Sequence, residues 1–252
     1  MRITLCYLLL FLPCQWAFAQ NMPPQRVVVE HWPPWEIALD EKREVVSEGI
    51  AVTLVTDIMK RIDVPMELAT VPWKRALAEI EQGKSALIPM IAKTAERSQY
   101  MLFTDPVFED PLLLAYSTDN LPSFQWKTWK DLTPYTFQLV RGYAYGNEWN
   151  KALKQHRYNH SMSISDEQSL KMLMGGRIDL IPLFYVNGTQ LISDLQFGDK
   201  IKFASKPLKE TTFYLGISKK SPLAQRLEDM NNAIAAMKKD GTFKKILGQL
   251  YR

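Results

Sequence analysis

Short apolar runs alternate with amphipathic stretches along most of the chain, and that alternation predicts an α/β fold. Arg26–Glu30 (RVVVE) reads as a strand, and the His31-Trp32-Pro33-Pro34-Trp35 segment after it is a loop stiffened by two prolines. Ile50, Leu54, Val55, Ile58 and Ile62 recur at helical spacing, so 49–62 is expected to be a helix. Val64–Leu68 and Ala86–Ile91 predict strands, with a helix over Trp73–Gln82 between them that Gly83 stops. Pro111–Tyr116 is a strongly apolar strand, and the polar stretch Ser117–Ser123 behind it predicts a lobe boundary.

The same style resumes beyond that boundary. Thr136–Val140 predicts a strand and Tyr145–Gln155 a helix. Ser165 as N-cap, with Gln168 at the capping-box position, opens another helix that Gly175-Gly176 ends. Ile178–Leu183 and Phe213–Ile217 read as strands. Ser221-Pro222 starts a helix to Lys239, Asp240-Gly241 turns the chain, and Thr242–Leu250 forms a last short helix.

The first residues add a compartment. Arg2 is the only charge before Arg26, an apolar run follows to Pro13, and Ala17-Phe18-Ala19 is a small-x-small pattern. This order predicts a secretory signal peptide over residues 1–19, cleaved after Ala19, and therefore a periplasmic protein. Pro13, Cys14 and Gln15 interrupt the run well short of the roughly 20 apolar residues that a membrane-spanning helix needs. Both cysteines, Cys6 and Cys14, leave with that segment, so no disulfide, thiol nucleophile or thiolate metal site is expected. The formal net charge of +4 is too even for a nucleic-acid binder, and the lysines at 238, 239, 244 and 245 read as a solvated helix face.

Several segments, in order, resemble the type II periplasmic solute-binding proteins of family 3, the branch typified by polar amino-acid uptake. They are Trp-Pro-Pro-Trp at 32–35, Gly49-Ile50-Ala51-Val52, Leu77 with Gly83-Lys84, and Thr94-Ala95-Glu96-Arg97. Phe103-Thr104-Asp105-Pro106, Trp129-Lys130-Asp131-Leu132, Gly175 to Asp179 and Lys239-Asp240-Gly241-Thr242 with Tyr251 complete the series. The resemblance implies a Venus-flytrap fold of two α/β lobes joined by two hinge strands. Lobe 1 would span 22–115 plus 214–252 and lobe 2 118–211, with hinges at Leu112–Tyr116 and Thr212–Gly216. It also implies capture of a small carboxylate-bearing molecule between the lobes, for uptake through an inner-membrane permease or for sensing by a membrane receptor. A monomer without a cofactor is expected.

The resemblance carries site residues over one at a time. Arg97, in the segment opened by Thr94, would bind a ligand carboxylate, for which the rigid guanidinium fork is suited. Trp35 would stack on the ligand, and Trp73 would close one side of the cleft. Gly142 and Tyr143, after the 136–140 strand, would offer backbone N–H groups to the ligand's anionic end. Phe184 stands where amino-acid binders of this family carry an aspartate for the ligand ammonium. That departure favours a carboxylate with an apolar or aromatic body, unless Glu36, Glu109 or Asp166 substitutes, and nothing in the sequence places those three.

Two other readings use the same fold. A periplasmic dehydratase or lyase would need a general acid or base beside the substrate. The chain has no H-E-x-x-H, G-x-S-x-G or P-loop motif, and His31, His156 and His160 lack metal-ligand spacing apart from an i,i+4 pair that reads as a surface feature. A sensor presenting its closed form to a receptor would look identical in sequence.

Overall fold

The structure is a computed structural model that describes residues 22–40 and 45–251. The signal peptide expected over 1–19 lies outside the described residues. Among the described residues twelve strands, β1 to β12, run in chain order as Gln25–Val29, Ile37–Ala38, Val46–Glu48, Met66–Thr70, Leu87–Ala92, Met101–Phe103, Phe108–Ser117, Thr136–Val140, Asn159–Ser163, Leu180–Phe184, Ile201–Phe203 and Lys209–Ser218. The helices α1 to α7 are Ile50–Arg61, Trp73–Gln82, Asn147–His156, Asp166–Met174, Tyr185–Asp194, Leu227–Asp240 and Thr242–Leu247.

The main sheet is built twice over the same plan. In one half β4, β1 and β5 are parallel, and β12 closes it antiparallel against β5. In the other half β9, β8 and β10 are parallel, and β7 closes it antiparallel against β10. Parallel neighbours need crossover connections, and α1, α2, α3 and α4 supply them. The ten-residue strands β7 and β12 pair with each other over Phe108–Leu112 and Lys209–Phe213, then diverge into opposite halves. The expected hinge segments Leu112–Tyr116 and Thr212–Gly216 lie inside these two strands, partly beyond the paired stretch.

Burial follows the predicted periodicity. Helix α1 buries Ile50, Leu54, Val55 and Ile58, while β5 is buried at all six positions, as a central strand covered on both faces must be. Helix α2 occupies the predicted residues, and Gly83 ends it in the left-handed conformation. The i,i+4 histidine pair does not share a helix, because α3 ends at His156 and His160 sits in β9. No group of three or more metal-ligating side chains occurs among the described residues.

Helix α5 is not among the elements expected from the sequence. Its glycine is there for packing. A Cβ at Gly188 would sit 2.5 Å from Leu183 Cδ2 and 2.8 Å from Phe203 Cζ, inside the contact that seats α5 on the sheet. Gly188→Ala is expected to destabilise the protein by about 1–3 kcal/mol, the usual range for an overpacked core, despite alanine's better helix propensity. Chemical denaturation of the two proteins measures this directly.

Candidate functional site

Chain direction puts the chemistry in one place. Three antiparallel pairings separate β4, β1 and β5 from β10, β8 and β9, so the two parallel sets run in opposite directions and their C-terminal ends, where ligands of α/β folds bind, face each other. Glu30 and Trp32 follow β1, Trp73 follows β4, and Arg97 follows β5; Tyr143 follows β8, Asp166 follows β9, and Phe184 ends β10. These seven residues line two adjoining cavities. The inner one, about 30 Å³, has walls of Glu30, Glu36, Trp32, Trp73, Arg97 and Phe184, among others. The outer one, about 490 Å³, shares Glu30, Trp32 and Tyr143 with it and adds Asp166, Ile164 and Leu191.

The cationic end is Arg97, which is 5% exposed. Thr94 Oγ1 accepts a hydrogen bond from the Arg97 backbone N–H at 3.1 Å and so shapes the turn; Thr94 itself is not on the cavity wall. The guanidinium donates from Nη1 to the Ala92 carbonyl (2.7 Å) and from Nη2 to the Gly142 carbonyl (2.9 Å). It also lies over the Trp73 ring, 5.5 Å from the centroid. Burial lowers its pKa to about 10, so it remains charged at neutral pH. The strand leading to it is bent: Met90 takes a positive φ of 48° where β5 and β12 shift register, which turns Pro89, Met90 and Ala92 toward the cavity.

The anionic end is a group of carboxylates. Asp166 Oδ2 accepts from Trp32 Nε1 across the cleft (3.1 Å) and from the Tyr143 hydroxyl (3.2 Å). Glu36 Oε2 accepts from the Glu30 backbone N–H (2.8 Å), and Glu30 Oε2 accepts from the Trp73 N–H at the start of α2 (3.1 Å). Burial raises Asp166 to about 7 and Glu36 to about 8. Glu30 is raised well above the usual carboxylate range by burial, with the fields of Glu36 and Asp166 adding to it. The Tyr143 hydroxyl is likewise pushed far up, by burial first and then by Asp166.

Several expectations move. Trp35 is 1% exposed and packs edge-on against Phe108 (4.6 Å) in the core; it does not line either cavity. Trp32 takes the cavity position instead: the turn closed by Trp35 N–H and Glu36 N–H on the Trp32 carbonyl stacks the two indoles, centroids 6.3 Å apart, with Trp32 on the cavity wall and Trp35 behind it. Gly142, at φ +85°, presents its carbonyl to Arg97, and the Tyr143 N–H is used on Val140 (3.3 Å). The Tyr143 N–H is therefore taken up within its own loop. The Tyr143 side chain does line the inner cavity, as do Trp73 and Phe184. Asp166 was legible as a helix-opening acid and as one possible substitute for the missing ammonium acceptor, and Glu30 only as a strand-ending acid; their partners Trp32 and Trp73 lie 134 and 43 positions away.

The model of the bacterial extracellular solute-binding proteins, family 3, matches residues 26–251. The chain belongs to that family. It is 25% identical over 227 residues to the ABC transporter arginine-binding protein 1 of Escherichia coli (strain K12), covering 87% of each chain. It is also 25% identical over 201 residues to the probable amino-acid-binding protein YxeM of Bacillus subtilis (strain 168), covering 79% of this chain and 74% of that one. In fold it matches an ancestral arginine-binding protein bound to arginine, with a TM-score of 0.78 at 20% identity over 92% of this chain and 100% of the other. Membership agrees with a two-lobed extracellular binding protein, and no helix among the described residues is long and apolar enough to cross a membrane.

Proposed function

We propose that this family 3 protein is a periplasmic receptor for a free amino acid, which it holds between its lobes and delivers in the closed form to an inner-membrane partner. One observation carries the reading: the buried Arg97 guanidinium shares an aromatic-walled cavity with the carboxylates of Glu30 and Glu36, and the buried Asp166 lines the adjoining one. Arg97 would take the ligand carboxylate, and Glu30 with Asp166 would take the ammonium. Trp32, Trp73 and Tyr143 would enclose the ammonium with ring faces, which attract cations. The carboxylates supply the acceptor that Phe184 had removed from its usual place, so an ammonium-bearing ligand fits better than an apolar acid. They outnumber the cation at the cavity, which favours side chains carrying a second positive charge.

Closure then follows from contacts that a ligand makes to both lobes together, since a ligand shifts a two-state equilibrium only by its preference for one state. The names of the relatives in Escherichia coli and Bacillus subtilis support an amino acid as the solute class.

The test is a thermal-shift comparison of L-amino acids with their deaminated acids and decarboxylated amines. Saturation at about a hundred times Kd adds about 2.7 kcal/mol, a shift of roughly 5–10 °C for a chain of this size. Only the intact amino acids should give it, with arginine, lysine and ornithine above the neutral ones. Equal shifts from the deaminated acids would return the ligand to a plain carboxylate. Consumption of the bound compound would make the protein a lyase-type enzyme.

A further inference from the structure

Two donors of lobe 1 converge on one oxygen. Arg97 Nη2 reaches the Gly142 carbonyl at 2.9 Å and Trp73 Nε1 reaches the same atom at 3.0 Å. They come from different elements, the turn after β5 and the first residue of α2, and the acceptor belongs to the loop between β8 and α3. The arrangement is fixed from several sides. The guanidinium sits over the Trp73 ring, the Tyr143 ring meets that indole edge-on at 6.0 Å, and the Trp73 backbone N–H is held by Glu30. Gly142 cannot be moved back to make room for a larger residue, because its φ is +85° and a Cβ there would lie 3.1 Å from Trp73 Cδ1.

A carbonyl oxygen and a carboxylate oxygen ask for the same donors, but the charged one gains more from them. We infer that Trp73 Nε1 is a second ligand donor, acting with Arg97 on one oxygen of the ligand's carboxylate, and that the Gly142 carbonyl is its built-in competitor in the closed conformation. The inference rests on the amino-acid reading above and adds a residue whose side chain had only an aromatic role there. It explains why an indole stands at this position: phenylalanine or tyrosine would keep a ring against Arg97 but place no N–H at that point. The internal acceptor also holds both donors aligned, so that little side-chain ordering remains to be done when the carboxylate replaces it.

The experiment uses the amino acid that gives the largest thermal shift and measures its affinity by calorimetry for wild type, Trp73→Phe and Trp73→Ala. A charge-assisted hydrogen bond of ordinary strength predicts a loss of about tenfold or more for Trp73→Phe, making up most of the loss seen with Trp73→Ala. In a ¹⁵N-labelled sample the indole N–H resonance that Trp73→Phe removes should shift on saturation as its acceptor changes from carbonyl to carboxylate. An affinity for Trp73→Phe within twofold of wild type overturns the inference, and so does an indole resonance that does not move. Both results would leave the amino-acid reading standing. If no amino acid binds the wild type, that reading fails and the donor role fails with it.

Discussion

Replacing Arg97 by alanine is expected to lower affinity for an amino-acid ligand by two to three orders of magnitude, with a folded protein remaining. The guanidinium is the one arginine or lysine side chain on the wall of either cavity among the described residues. Removing one partner of a buried, hydrogen-bonded charge pair costs about 2–5 kcal/mol, or roughly 30- to 4,000-fold in affinity. Most of that is the cost of leaving a carboxylate desolvated without its counter-charge. The substitution also takes a donor from the Ala92 carbonyl and leaves the Gly142 carbonyl with Trp73 Nε1 alone, so a lower melting temperature accompanies it. Arg97→Lys separates charge from shape. It keeps the cation but not the fork that reaches Ala92 and Gly142 together, and an intermediate affinity is expected. Calorimetry gives the affinities and circular dichroism the state of the fold. Wild-type affinity in a folded Arg97→Ala protein would remove Arg97 from the site.

How far the site could be read in the sequence depends on the distance over which each residue acts. Helix α2 was legible to the residue because its pattern and its stop at Gly83 are both local. Arg97 was singled out by the resemblance of the short segment Thr94–Arg97, and its contacts to Thr94 and Ala92 within five positions hold it on the cavity wall. Trp32 and Trp35 were not distinguishable: both flank the same pair of prolines, and only the turn on the Trp32 carbonyl decides which indole meets the cavity. Asp166 was read correctly as a first-turn acid of α4, and its partner Trp32 is 134 positions away. The expectation of a carboxylate with an apolar body rested on a single position. Phe184 removes one ammonium acceptor, but three other carboxylates approach the same space from β1, its following loop and α4, and no spacing rule connects them. Helix α5 was missed because Gly188 answers to Leu183 and Phe203 and not to its own helix.

The same carboxylates make binding and stability respond to pH in opposite directions. Asp166 at about 7 and Glu36 at about 8 lie well above the values near 4 that they have in an unfolded chain. Between those limits the folded protein holds protons that the unfolded chain has lost, so stability without ligand is greatest at low pH and falls as pH rises through 7 to 8. Asp110 adds to this trend, since burial raises it to about 7 where it accepts from the Val186 N–H at the start of α5. An ammonium, by contrast, needs the ionised carboxylate. If Asp166 must lose its proton to receive the ligand, the ionised fraction at pH 5.5 is about one in thirty, and affinity should rise about 30-fold between pH 5.5 and 8. Asp110 lines neither cavity and should not contribute to that rise. Asp166→Asn keeps an acceptor for Trp32 Nε1 and Tyr143 but carries no charge. It should bind at least tenfold more weakly at pH 8, and its remaining pH dependence should belong to Glu30 and Glu36. Calorimetry in buffers of different ionisation enthalpy counts the protons released on binding, and melting curves from pH 5 to 8 give the stability trend. A flat affinity profile in the wild type, with no proton released, would mean that the ligand's cation is held elsewhere or that the ligand carries none.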